Sequence, residues 1–316
     1  MLNRMIQYSL IGFASLFLGC VNEDNSECSV GPQVQYYYTL NREREDLFGQ
    51  RVRKMAIYIF DKNDLFYDSK LIDDPSQLRN NQPLTLDLPS GQYTLISWGG
   101  KIDSYEIGEM GAISSGLYRG ITKLSDFRLA APSYIEPITN HTVVREPAEL
   151  YHGRPTPITV SNQSQQVRIP LLKNTHTINL SISGLSFLAA APTTILDFHS
   201  LGNNSLYKHD NTFGEPTKTI KYLPSTLTWQ GDKLQSSVKV LRLMIGHPLT
   251  LVVSNKTDGT KYFNFDLLPY IMQSPAYQNQ DDLDTEDEFN VDLTIGHDIQ
   301  ITMQINGWQI INVIPQ

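Results

Sequence analysis

The chain has 316 residues, a formal net charge of −8 and only two cysteines, Cys20 and Cys28. The acidic balance excludes nucleic acid as a partner, because phosphate binding wants a basic face. The length allows one large domain or two of ordinary size, with a core big enough to stand without disulfides.

The opening MLNRMIQYSLIGFASLFLGC has the layout of a secretory signal. Arg4 gives the positive start, Ile6 to Leu18 the short apolar run, and Gly19 the small residue before Cys20. The run is shorter than the about 20 apolar residues a permanent membrane helix needs. Leu16-Phe17-Leu18-Gly19-Cys20 resembles the lipobox of bacterial lipoproteins. That resemblance implies a diacylglycerol on the Cys20 thiol, cleavage before Cys20 and membrane lipid as a partner through it. Each buried methylene contributes about 0.8 kcal/mol, so two or three acyl chains hold where one would not. Residues 1–19 are then signal peptide and 20–30 a lipidated tether, whose acidic stretch Val21 to Glu27 reaches at most about 28 Å. With Cys20 lipidated, Cys28 has no intramolecular partner.

From there the body reads as strands. Val34 to Leu40 is rich in β-formers, and Val52 to Phe60 is apolar on both faces towards its end, as in a central strand. Leu84, Leu86 and Leu88 alternate with polar residues; Pro89-Ser90-Gly91 then turns the chain into Gln92 to Trp98, a hairpin-like signal. Further runs are expected at Thr156 to Val160, Gln166 to Leu172, Thr177 to Ile182, Val238 to Met244 and Leu249 to Val253. They continue at Lys261 to Leu267, Phe289 to Ile295, Ile299 to Ile305 and Trp308 to Val313. Helix signals are few: Asp266 caps a short helix with Pro269 in its first turn, and Lys123 to Phe127 makes one turn. Many short strands with regular turns predict an all-β architecture of two tandem β-sandwiches, 31–170 and 171–316. The boundary falls near Pro170, after a turn-rich stretch from Glu146 to Gln165.

No motif for catalysis emerges. The acidic run Asp281 to Glu288 invites a calcium reading, but a loop begun at Asp282 has Asp287 where the turn glycine belongs and Leu293 at the twelfth position. It reads as a solvated loop between a helix and a strand. His141, His152, His176, His199, His209, His247 and His297 form no zinc spacing and are expected in loops. There is no G-x-S-x-G elbow and no phosphate-binding fingerprint. No metal, cofactor or catalytic residue is expected. Tyr36-Tyr37-Tyr38 suggests a sugar-stacking platform, but consecutive strand residues point to alternate faces, so half-buried sheet tyrosines explain them.

Several stretches together resemble a known family. They are Cys20 with Cys28, Met55 to Asp61, Leu88 to Gly99, Leu150-Tyr151-His152-Gly153, Leu172 to Thr175, Asp287 to Val291 and Ile305-Asn306-Gly307-Trp308. In order along nearly the whole mature chain, they resemble the fimbrillin-A-associated anchor proteins of Bacteroidales fimbriae. The resemblance implies two transthyretin-like sandwiches in a non-enzymatic outer-membrane lipoprotein, exposed at the cell surface. Such a protein anchors a pilus of fimbrillin subunits, limits its length and takes part in adhesion. It also implies partner recognition by β-strand pairing, in which backbone hydrogen bonds supply affinity and side-chain pockets supply register. Fimbrillins lose their first strand to an arginine-specific protease, whereas an anchor must keep it. Here that strand is Val34 to Leu40, upstream of Arg42, Arg44, Arg51 and Arg53. The alternatives are a polymerising or tip fimbrial subunit, a surface glycan-binding lipoprotein of a nutrient-uptake system and a β-sandwich hydrolase.

Overall fold

The computed structural model describes residues 31–79, 82–137, 140–163, 165–188, 193–202, 205–214, 218–298, 300–310 and 313. The signal sequence, Cys20 and Cys28 lie outside them. The first half holds β1 (Gln33–Tyr37), α1 (Phe48–Arg51), β2 (Met55–Asp61), β3 (Phe66–Ile72), β4 (Leu84–Thr85), β5 (Gly91–Gly100), β6 (Glu106–Glu109), β7 (Phe127–Ala130), β8 (Ser133–Ile135), β9 (Thr142–Val144), β10 (Leu150–Val160) and β11 (Gln166–Lys173). The second half holds β12 (Thr175–Ser183), β13 (Thr194–Leu201), β14 (Leu206–Lys208), β15 (Thr219–Tyr222), β16 (Thr226–Gln230), β17 (Lys233–Leu241), β18 (Leu249–Asn255), β19 (Lys261–Asp266), α2 (Leu267–Ile271), α3 (Gln280–Thr285), β20 (Glu288–Ile295), β21 (Ile301–Ile305) and β22 (Trp308–Ile310).

The first sandwich comes from one hydrogen-bonded order, β3-β2-β5-β10-β11-β1-β4. β11 makes it two layers: its Gln166 to Pro170 pair in parallel with β1, while Leu171 to Lys173 pair antiparallel with β10. The alternation of β2 and β5 explains why their sequences are apolar on both faces. Met55, Ile57, Ile59 and Leu95 face the inner core with Val34, Tyr36 and Ile169. Ala56, Phe60, Ile96 and Trp98 face a second core shared with the other half.

The second sandwich stacks β16-β17-β12-β20-β21-β22 on β19-β18-β13-β15-β9-β8. Two of its strands, β8 and β9, come from the first half, β9 pairing in parallel with β15. A small sheet β14-β7-β6 also joins the halves. The chain is therefore all-β, two sandwiches in tandem, with strands exchanged across their junction.

Most expected runs are strands within a few residues, and α2 begins as read, with the Asp266 side chain accepting from Leu268 N. The hairpin is not present: β4 pairs with β1, not β5, so Pro89-Ser90-Gly91 carries the chain between layers. Most of Glu146 to Gln165 is not turn but β10. The Val238 to Met244 run belongs to a strand ending at Leu241. The acidic run is not a solvated loop. Asn279 and Asp282 form a reciprocal capping box that starts α3, and Leu283 and Asp284 are buried.

Candidate functional site

The anchor and subunit alternatives differ at the first strand. In β1 the alternate residues Val34 and Tyr36 point inward, followed by Tyr38, and all three are almost fully buried. Tyr36 stacks on Phe48 with centroids 5.9 Å apart, and its hydroxyl bonds the Ser97 hydroxyl at 2.7 Å. Tyr38 meets Tyr151 edge-on at 5.1 Å. Tyr37 turns outward under the Arg168 guanidinium, 5.0 Å from its ring centroid. The aromatic triplet is thus divided between two faces and makes no platform. Burial pushes the Tyr36 and Tyr38 hydroxyls well above the usual tyrosine range, so both stay neutral.

Both ends of the strand are fastened. Upstream, Leu86 N donates to Pro32 O at 3.0 Å, and a Cβ on Gly31 would lie 1.9 Å from Leu86 O, so only glycine fits there. Downstream, Tyr38 N donates to Asp46 Oδ1 at 2.9 Å and Leu47 N to Tyr38 O at 3.0 Å. Burying Val34, Tyr36 and Tyr38 stabilises by about 1.5–3 kcal/mol each. Their sum rivals the whole margin of a typical domain, about 5–15 kcal/mol. Tyr36→Phe is expected to cost about 1–3 kcal/mol, because the fully buried Ser97 hydroxyl loses its partner. A urea midpoint equal to wild type counts against that bond.

The arginines after the strand are exposed. Arg42 lies in the turn following β1, its side chain 74% exposed and 3.5 Å from Glu286. Arg44 has φ +55°. Both line a polar cleft of about 310 Å³ with Tyr277, Asp282, Glu286 and Asn306. Tyr277 donates to Glu286 Oε2 at 2.8 Å and accepts from Asn306 Nδ2 at 2.6 Å. Burial, with the Glu286 bond, pushes its hydroxyl up to about 12, so it is no neutral-pH base.

Three of the seven histidines correct the loop expectation. His152 lies on β10 and His176 on β12, both buried, and His199 is on β13. The flanking core explains this, since His152 packs at 4.5 Å on Trp98 and His176 at 5.7 Å on Phe289. Desolvation holds both rings down to about 3. Each nevertheless has protein partners: His152 Nε2 meets His209 O at 3.1 Å, and His176 Nδ1 accepts from Leu243 N at 3.1 Å.

Around them is a junction network that sequence reasoning missed. Asn174, the one residue between β11 and β12, exchanges side-chain bonds with Asn211 at 2.6 and 3.0 Å. Arg242 clamps Asp284 through two parallel bonds, and Lys173 bonds Asp287. Asp282 caps backbone amides, and Glu286 binds Tyr277, so the acidic run points its carboxylates at separate partners. Among the described residues no three His, Cys, Asp or Glu side chains converge as a metal site would need.

Over residues 25–314 the chain matches the family described as fimbrillin-A associated anchor proteins Mfa1 and Mfa2. It is 24% identical over 298 residues to the minor fimbrium anchoring subunit Mfa2 of Porphyromonas gingivalis, covering 92% of this chain and 88% of that one. The solved fimbrial anchor protein Mfa2 from Porphyromonas gingivalis superposes with a TM-score of 0.69 at 22% identity, over 89% of this chain and 98% of that one. A Bacteroides thetaiotaomicron protein solved as a candidate polysaccharide-binding protein superposes at 0.74 with 21% identity, over 89% of this chain and 98% of that one. Structural likeness at such identities speaks for the fold alone. The sequence match across both sandwiches goes further: the chain belongs to the fimbrillin-A associated anchor proteins.

Proposed function

We propose that this chain is a lipid-tethered anchor that holds a fimbrium at the outer face of the outer membrane and helps to limit its length. The observation that carries the reading is the interior position of β1, paired with β11 on one side and β4 on the other. A subunit that polymerises by strand exchange must vacate a groove for its neighbour. Here the groove is filled by the chain's own strand, whose removal would bare the β11 edge and uncover Phe48 and Tyr151, the ring partners of Tyr36 and Tyr38. A filled groove ends the assembly on that side. The same strand would join the fold to lipid at Cys20, with 1–19 removed as signal, 20–30 as tether and the two sandwiches divided near Pro170. Adhesion follows from carrying the fimbrium; the fimbrillin subunit pairs by strand addition, and the role needs no catalysis or cofactor.

A glycan binder wants a row of exposed rings. Among the described residues the exposed tyrosines and tryptophan are dispersed: Tyr118 in the loop before β7, Tyr134 on β8 and Trp308 on β22.

N-terminal analysis of the surface form, with fatty-acid labelling, tests the anchor. Wild type is expected to start at a labelled Cys20. Cys20→Ala is expected to lose the label, leave the membrane fraction and shed fimbriae into the medium. A surface form beginning just after Arg42 or Arg44 makes the chain a polymerising subunit and ends the anchor reading.

A further inference from the structure

We infer that the loop between β6 and β7 rests on the membrane, setting Met110, Tyr118 and Ile121 among the lipid headgroups beside the Cys20 anchor. This rests on the lipid-tether reading above and adds a second contact with the same membrane.

Ile121 and Met110, at 70% and 61%, are the most exposed large apolar side chains among the described residues, and Tyr118 is 49% exposed. Their grouping is built in. The buried Thr122 hydroxyl donates to the Glu109 carboxylate and accepts from Tyr118 N. Met110 follows Glu109 and Ile121 precedes Thr122, so one buried threonine gathers all three. Large apolar side chains that stand singly need no explanation, whereas a group of them marks a contact surface.

Charge indicates the kind of surface met. Residues 110–123 hold no Asp or Glu and two cations, Arg119 and Lys123, in a chain of net charge −8. The Arg119 guanidinium lies 4.5 Å from the Tyr67 ring centroid, and Lys123 is exposed. Apolar side chains with a tyrosine among them and cations at their flank suit the boundary between acyl chains and phosphate headgroups.

The register of the first sandwich puts this loop where the tether enters. Phe66, at the start of β3, stands opposite Phe60, Asp61 opposite Tyr93, and Gly91 opposite Val160. One turn further on, Gln166 pairs with Gln33 at the start of β1. Phe66 N donates to Thr122 O at 2.8 Å and Gly120 N to Phe66 O at 2.7 Å, so the loop is laced to this end of β3. Sideways the two are also neighbours. Lys70 Nζ on β3 reaches Thr85 O at 2.7 Å, and Thr85 is the register partner of Gln33. Phe66 lies only about 13 Å along the strand from Lys70. The chain from Cys20 to Gly31 spans at most about 40 Å, so acyl chains on Cys20 keep this end of the fold close to lipid. A patch too weak to bind from solution suffices there, because the tether raises its effective concentration. The second contact then fixes which end of the first sandwich faces the membrane.

The test uses the full-length lipoprotein in phosphatidylethanolamine–phosphatidylglycerol vesicles, with nitroxide-bearing lipid as quencher. A fluorescent aromatic residue replaces Tyr118 in one protein and the exposed Ser104, beyond the far end of β5, in another. Emission at position 118 is expected to fall severalfold and emission at 104 to hold. Ile121→Asp with Met110→Ser is expected to abolish the quenching at 118, with acylation and thermal unfolding unchanged, because both side chains already face solvent. An acylated, vesicle-bound protein that is unquenched at 118, or quenched equally at 118 and 104, overturns the second contact and leaves the anchor reading standing. Capture of the fimbrial subunit by a photo-crosslinking residue at 118, in cells that assemble fimbriae, overturns lipid as the occupant. If wild type carries no acyl chain, both readings fall.

Discussion

Acidification from about pH 7.5 to about pH 5 is expected to cost the folded chain roughly 4 kcal/mol through two histidines. His152 and His176 have ordinary values of 6.5 in the unfolded chain and about 3 in the fold, first because burial desolvates the rings. Between those values the unfolded chain binds protons that the folded chain refuses. Stability is therefore level above 6.5, falls as pH drops through the window and levels again near 3. The slope is about 1.4 kcal/mol per pH unit for each ring. The Leu243 bond gives the same sign for His176, against the Leu283 carbonyl, which favours the charged ring. Its Nδ1 accepts from Leu243 N, so the proton sits on Nε2, which donates to Leu283 O at 3.3 Å. A second proton on Nδ1 would face the Leu243 N–H and break that bond. Urea unfolding across this range should show the loss, and His176→Gln should roughly halve the pH slope. A wild-type slope in that variant would mean the ring is not held neutral.

How far the fold was legible depended on whether a signal was local. β2 reads as a doubly buried strand because Met55 to Phe60 is apolar without a break, and both its faces meet core. β13 escaped notice. Thr194 and Ser200 point inward while Ile195 and Leu201 point outward, so the period of two is blurred. β8 has no buried residue to alternate with. The Pro89-Ser90-Gly91 turn showed that the chain changes direction. It held nothing about partners, and β4 finds β1 some fifty residues upstream rather than its neighbour β5.

The candidate site divides in the same way. The alternation of Tyr36 with Tyr38 is a short motif and can be read directly. The parallel seat of β1 beside β11 depends on contacts between Gln33 to Tyr37 and Gln166 to Pro170, which no local pattern encodes. Asn174 and Asn211 are 37 positions apart, and Arg242 and Asp284 are 42 apart; each alone resembles a surface polar residue. The capping box of α3 did leave a trace in Asn279-Gln280-Asp281-Asp282, but the acidic run around it suggested solvent.

Asp284→Ala is expected to destabilise by about 3–5 kcal/mol, the usual cost of stripping one partner from a buried ion pair. Asp284 is 1% exposed at its side chain and Arg242 10%, so the guanidinium left behind has little water to turn to. The carboxylate also accepts from Gln280 Nε2 at 2.9 Å, and the Arg242 backbone N–H donates to Asn174 O, also at 2.9 Å. Loss of Asp284 therefore loosens α3 and the β11–β12 junction at Asn174 together. Arg242→Met with Asp284→Leu removes both charges and keeps apolar bulk, so it is expected to recover most of the loss. A double-mutant cycle read by urea unfolding measures the coupling. Additive single losses, with no recovery in the double variant, would show that the pair does not act as a unit. Recovery of stability in the double variant, with fimbriae still retained on cells, would assign the pair to the rigidity of the junction.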